Sequence, residues 1–227
     1  MTVKEKYEAL LAEIEDICHS VSRDPKRINV IAVTKYVSEE TTQKALEAGV
    51  GHIGENRAEG GLEKWEALGN QGTWHFIGSL QSKKVKKVID KFDYFHSLDR
   101  LSLAEELDKR AKPGQIIRCF VQVNISNEES KSGLSKEEVL PFIEQLGEFP
   151  AIEVVGLMTM APFYDDPELT RPIFRGLREL QEVVAAKQLT HAPCLELSMG
   201  MSNDYRVAIE EGATFIRLGT ALVGKEF

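Results

Sequence analysis

The sequence predicts a single-domain (β/α)8 barrel, and three observations carry that reading. Short runs of β-branched, aliphatic or aromatic residues alternate with segments of helical period along all 227 residues. Eight such runs are separated by short loops, with no linker or low-complexity tract. Hydrophobic residues at 42% and charged residues at 28% are the proportions of an ordinary globular chain with a substantial core. An open doubly wound sheet is the competing arrangement.

Residues 3–20 place Tyr7, Leu10, Leu11, Ile14 and Ile17 at helical spacing, an extra amphipathic helix ahead of the barrel that the Pro25 region ends. The run Asn29-Val30-Ile31-Ala32-Val33-Thr34 suits a strand buried on both faces, and it delivers Lys35-Tyr36 to its carboxyl end. Ser38 caps a helix over 39–48, stopped by Gly49, and 51–54 is the second strand. A helix over 55–68 follows, although Gly60 and Gly61 each cost up to about 1 kcal/mol relative to alanine.

The third strand is 74–77, the next helix 83–90 and the fourth strand 94–97, with Asp99 capping a helix that runs to Ala111. The fifth strand is 116–123, Ser135 caps a helix over 136–146, and 154–158 is the sixth strand. A long helix over 168–187, a seventh strand at 194–197, a helix over 204–211, an eighth strand at 215–218 and a turn at 220–223 complete the chain.

In such a barrel the residues just beyond the strands converge on one mouth. Those residues are Lys35, Glu55-Asn56, His75 with Gly78, His96-Ser97, Asn124, Met158-Thr159-Met160, Ser198 to Ser202 and Arg217 to Thr220. The stretches Ser198-Met199-Gly200-Met201-Ser202 and Gly219-Thr220 read as adjacent loops whose hydroxyls and backbone N–H groups suit a phosphate. Alone, Lys35 reads as a surface lysine closing a strand; facing a phosphate pocket it suggests a Schiff base with a phosphorylated aldehyde, a description that pyridoxal 5'-phosphate fits. Arg217, a donor with no acceptor, would then meet the pyridine nitrogen and keep it unprotonated. Met158, Met160, Met199 and Met201 read as soft apolar walls.

Other features exclude other functions. A net charge of −8 argues against a sequence-independent nucleic-acid binder, and Lys83, Lys84, Lys86 and Lys87 read as a solvated helix face. His75 and His96 are read as packing residues ahead of acid–base groups. Cys18, Cys119 and Cys194 are too far apart for a zinc motif or a disulfide framework, and reduced thiols fit a cytoplasmic protein. No run reaches the roughly 18 apolar residues of a membrane span.

Val33-Thr34-Lys35, Gly54-Glu55-Asn56, Trp74 to Gly78, Val123 to Ser126 with Lys131-Ser132-Gly133, Gly156 to Met160, Leu197 to Ser202 and Ile216 to Thr220 resemble the YggS/PROSC family of pyridoxal phosphate homeostasis proteins over essentially the whole chain. Departures fall at Gly60-Gly61, Lys83, Asn127 and Val223. The resemblance implies the barrel of alanine racemase without its second, β-rich domain, covalent pyridoxal phosphate, and a carrier or regulator of vitamin B6 without established catalysis. It makes Lys35 the Schiff-base lysine, Asn56 a pocket residue, Ser198, Gly200, Gly219 and Thr220 the phosphate cradle, and Arg217 the pyridine partner. With His75, Met158 and Met199, these are the candidate cofactor-binding residues; no catalytic or metal-binding residue is assigned. The expected protein is a monomer whose partners are the cofactor and apoenzymes that need it. The alternative is a racemase or related enzyme on the same barrel.

Overall fold

The computed structural model describes residues 1–126, 128 and 132–227, so the expectations at Asn127 and Lys131 lie outside the described residues. Eight strands form a closed parallel barrel in chain order: β1 (Asn29–Val33), β2 (His52–Glu55), β3 (Thr73–Phe76), β4 (Tyr94–Leu98), β5 (Ile117–Gln122), β6 (Ile152–Met158), β7 (Glu196–Met201) and β8 (Phe215–Leu218), with β8 pairing back onto β1. Helix α1 (Val3–Ser20) precedes the barrel, started by a Thr2/Glu5 capping box. The outer layer is α2 (Glu39–Glu47), α3 (Ala58–Leu68), α4 (Val85–Val88), α5 (Leu101–Arg110), α6 (Lys136–Gln145), α7 (Arg171–Ala185) and α8 (Tyr205–Glu210). Among the described residues no helix is long and apolar enough to cross a membrane.

Strand alternation divides the core in two. Outward residues such as Ala32, Trp74, Cys119, Met199 and Ile216 pack beneath the helices. Inward residues Ile31, Phe120, Val155, Met158 and Phe215 fill the barrel, with Tyr94 against them. The same alternation that puts Phe215 inside puts Arg217 inside, two residues nearer the mouth. All three cysteines are free and buried, and burial pushes the Cys119 thiol far up and the Cys194 thiol up to about 12.

Several boundaries differ from the sequence reading. The helix expected from Glu55 begins at Ala58, because Glu55 is the last residue of β2 and its carboxylate is buried in polar contacts beside the first strand. Gly61 is accommodated by packing: a Cβ there would lie 2.8 Å from the Phe92 ring. The cap of α5 is Arg100 rather than Asp99, whose carboxylate instead accepts from Arg100 at 3.0 Å. The expected helix over 83–90 opens as a 3-10 turn, Ser82–Lys84, before the short α4. The largest correction is β7, which runs two residues later than expected at its start and four later at its end. Cys194 has φ 48, outside extended geometry, whereas Ser198 to Met201 continue the strand.

Phe120 is fully buried at the centre of the barrel, with ring centroids 4.3 Å from His96 and 5.4 Å from Phe215. Phe120→Ala should cost about 3–5 kcal/mol. Equilibrium urea unfolding checks this, and a loss below about 1 kcal/mol would show that the interior is not packed as described.

Candidate functional site

A cavity of about 360 Å³ opens at the carboxyl ends of the strands, and Lys35, Asn56, Gly78, Asn124, Met201 and Arg217 are among its lining residues. Lys35 reaches it because β1 ends against a buried polar cluster. The Thr34 amide donates to the Gly54 carbonyl at 3.1 Å and the Thr34 hydroxyl to Glu55 Oε1 at 2.6 Å. Lys64, brought in by α3, bonds the same Glu55 oxygen at 2.6 Å and also donates to the Thr34 carbonyl. A buried ion pair therefore fixes the residue before Lys35. Beyond it, Lys35 Nζ lies 4.8 Å from the centre of the Tyr36 ring, and the Ser38 amide donates to Glu226 Oε2 at 2.6 Å.

Asn56 follows β2 and is pressed against the loop after β3. A Cβ at Gly78 would lie 2.1 Å from the Asn56 carbonyl oxygen, so only glycine allows that approach. Lys35 and Asn56 also border a wider acidic groove of about 710 Å³ that includes Glu39, Glu59 and Glu63.

Arg217 forms the inner wall. Its Nη1 donates to the Ser198 hydroxyl oxygen at 2.5 Å and its Nη2 to the Thr159 carbonyl at 2.9 Å. No carboxylate lies within ion-pairing distance of it among the described residues, and burial pulls its pKa down to about 10 against a smaller opposing effect of Asp204. Behind Ser198, polar contacts continue into the barrel, from Ser198 Oγ to His96 Nδ1, from His96 Nε2 to His75 Nδ1 and from His75 Nε2 to His52 Nδ1, each 2.9 Å.

The ten candidate residues are thus divided. Lys35, Asn56 and Arg217 share the cavity. Ser198 is not on a loop: it is fully buried in β7, with its hydroxyl between Arg217 and His96. Met199 points outward into the core beneath the helices, and Met158 points into the barrel filling. His75 lies in the barrel interior below the cavity, stacked on Tyr94 at 4.7 Å. Gly200 has φ +94, and a Cβ there would meet Ala208 Cβ at 2.6 Å, so this glycine serves the seating of α8. Gly219 and Thr220 lie in the turn after β8, where the Leu222 and Val223 amides donate to the Gly219 carbonyl at 3.0 and 2.9 Å. A Cβ at Gly219 would meet only Val33, at 3.7–3.8 Å, so the fold leaves room there.

Of the two serines in the predicted 198–202 loop, only Ser202 lies outside the strand. It is the first residue beyond β7, and its hydroxyl accepts from the Ala221 amide at 3.4 Å, joining the two loops. Its signal was present in the polar stretch after the strand, but ending the strand at Leu197 placed the first loop serine four residues too early.

The family described as "Alanine racemase, N-terminal domain" matches residues 9–226. The pyridoxal phosphate homeostasis protein of Aquifex aeolicus is 39% identical over 99% of both chains. This chain belongs to the pyridoxal phosphate homeostasis protein family. The Escherichia coli member is 34% identical over 94% of each chain. PipY of Synechococcus elongatus, 32% identical, superposes with TM-scores of 0.85 with PLP bound and 0.86 without, covering 98% of this chain and 100% of PipY. Alanine racemase from Corynebacterium glutamicum, at 16% identity and a TM-score of 0.72 over 95% of this chain and 61% of its own, shares the fold.

In this homeostasis-family barrel the interior histidines give stability a pH dependence. Burial, then the neighbouring imidazoles, holds His75 well below the usual histidine range; burial, then Arg217, does the same for His96. An unfolded histidine titrates near about 6.5, so below that pH the unfolded chain binds more protons than the folded one. Stability is full above about pH 6.5 and is lost as pH falls, by up to about 1.4 kcal/mol per pH unit for each histidine. The urea midpoint should fall between about pH 7.5 and 5.5; an unchanged midpoint would contradict the burial of neutral imidazoles.

Proposed function

We propose that this protein binds pyridoxal 5'-phosphate in the mouth cavity, holds it covalently through Lys35, and carries and buffers vitamin B6 in the cytoplasm without catalysing a reaction. The observation that carries the reading is one cavity lined by a primary amine, Lys35, and by a buried guanidinium, Arg217, that has no ion-pair partner among the described residues. Such a pair of groups suits an electron-rich ligand with an electrophilic carbon. The cofactor supplies an aldehyde that condenses with an amine, a pyridine nitrogen and a phosphate dianion.

Each part has a counterpart in the chain. The Lys35 amine takes the aldehyde, the remaining Arg217 donors face the ring nitrogen, and Asn56 borders the ring. Ser202, Gly219 and Thr220 hold the phosphate at the joined loops, where the room beside Gly219 admits an anion. Arg217 can donate to the nitrogen but cannot protonate it readily, which makes the ring a weak electron sink and favours storage over chemistry. PipY, determined with PLP bound, and the relatives' shared name support the same reading. Lys35 is partly exposed, which suits exchange with apoenzymes, and the protein acts as a monomer.

The match to the alanine racemase domain favours a second reading, an amino-acid racemase. Two-base racemisation needs a second proton acceptor across the ring, and no carboxylate, imidazole or phenol lines the cavity among the described residues. Exchange of the α-proton for deuterium across a panel of amino acids, lost in Lys35→Ala, would establish that reading instead.

Lys35→Ala should lose both the near-ultraviolet or visible absorbance of the bound cofactor and the mass added by borohydride reduction. Retention of both would place the linkage elsewhere. Gly219→Val should weaken pyridoxal phosphate binding about tenfold to several thousandfold by removing one or two charge-assisted hydrogen bonds. Pyridoxal, which lacks the phosphate, should bind poorly and be little affected by the change. A folded Gly219→Val protein of unchanged affinity would move the phosphate away from this loop.

A further inference from the structure

We propose that His52, His75 and His96 are positioning residues for Arg217, forming with Ser198 one directed hydrogen-bond chain that crosses the barrel interior and fixes which Arg217 donors face the mouth. The role given to Arg217 rests on the function proposed above; the chain rests on geometry alone.

Direction follows from counting donors and acceptors. A guanidinium has no acceptor, so the Ser198 oxygen accepts from Arg217 Nη1. The Ser198 hydrogen then needs an acceptor, and His96 Nδ1, 2.9 Å away, is the one beside it. That leaves the His96 proton on Nε2, donated to His75 Nδ1 at 2.9 Å. By the same step the His75 proton lies on Nε2, donated to His52 Nδ1 at 2.9 Å. All three rings are neutral Nε2–H tautomers, and every link joins one donor to one acceptor. The reversed arrangement, with each Nδ1 protonated, makes the Ser198 oxygen accept twice and leaves its hydrogen without a described acceptor in a fully buried site. Direction therefore comes from the arginine end.

Packing holds the rings in register. His96 stacks on Phe120 with centroids 4.3 Å apart, His75 on Tyr94 at 4.7 Å and an interplanar angle of 5°, and His52 meets Phe215 edge-on at 5.8 Å. The groups that act electrically on the chain are Arg217 on His96, the imidazoles on one another and Asp93 on His52. A proton added to either inner ring would place a second cation in the buried interior near Arg217 and set two N–H groups against each other. A neutral chain keeps Ser198 available as an acceptor and leaves Arg217 held at two points, Ser198 and the Thr159 carbonyl. Held so, the guanidinium presents its remaining donors to the cavity in one orientation.

Two-bond proton–nitrogen correlation spectra of the uniformly ¹⁵N-labelled full-length protein without cofactor test the chain directly. The expected result is Nε2–H tautomers at His52, His75 and His96, with His75 and His96 unchanged between about pH 5.5 and 8. An Nδ1–H tautomer at any of the three overturns the chain. The positioning role is read from pyridoxal phosphate affinity and absorption maximum in Ser198→Ala, Ser198→Thr, His75→Phe and Arg217→Ala proteins. Ser198→Ala and His75→Phe should each weaken binding by about tenfold, the effect of one lost hydrogen bond, with Ser198→Thr near normal. The His75→Phe effect should vanish when Arg217 is already alanine. If Arg217→Ala weakens binding while Ser198→Ala and His75→Phe do not, the positioning role falls and the cofactor reading stands. If Arg217→Ala itself leaves binding and spectrum unchanged, the cofactor reading of Arg217 falls, whatever tautomers the spectra show.

Discussion

A permanently charged guanidinium held inside a barrel is the constraint around which this molecule is arranged. Arg217 is carried inward by the same alternation that buries Phe215, and its desolvation works against its charge. The barrel meets that demand with neutral polar atoms, the Ser198 hydroxyl and the Thr159 carbonyl, rather than with a carboxylate. A carboxylate would have cancelled the charge and left little for a ligand. Neutral acceptors orient the cation and leave its field directed at the cavity, which is what an electron-rich ring or an anion needs.

The opposite wall is built on a different principle. Lys35 is flexible in itself, yet the residue before it is held by Glu55 and Lys64, and the residues after it by Glu226. Anchors on both sides of a partly exposed lysine confine its amine to the mouth without burying it. Glu55 is the last residue of β2 and Lys64 comes from α3, so the wall depends on neighbouring elements rather than on one loop.

Much of this was legible in the sequence, and the misses share a cause. β1 could be read because Val30-Ile31-Ala32 is apolar on both faces and a lysine follows at once. Asn56 and Arg217 followed from their places at strand ends. β7 could not be bounded, because Ser198 and Gly200 look like loop residues while lying within the strand, Ser198 turned into the barrel and Gly200 set against α8. The polarity of Ser198 belongs to the barrel interior, where it serves Arg217, and that long-range pairing leaves no local periodicity. His75 and His96 were read as packing residues, and they do pack; that they also form a chain with His52 depends on register among five strands. Glu55 was placed in a helix for a related reason, since its buried partners Thr34 and Lys64 are 21 and 9 residues away.

We propose that the mouth lysine, and no other, carries the cofactor. Peptide mapping by mass spectrometry after borohydride reduction of the pyridoxal phosphate-loaded, unsubstituted protein tests it most directly. The expected result is a single phosphopyridoxyl group on Lys35, with Lys64, buried in its pair with Glu55, and Lys225, which lies 5.3 Å from the Tyr36 ring, unmodified at one equivalent of cofactor. Modification at either of those lysines with Lys35 left free would contradict it.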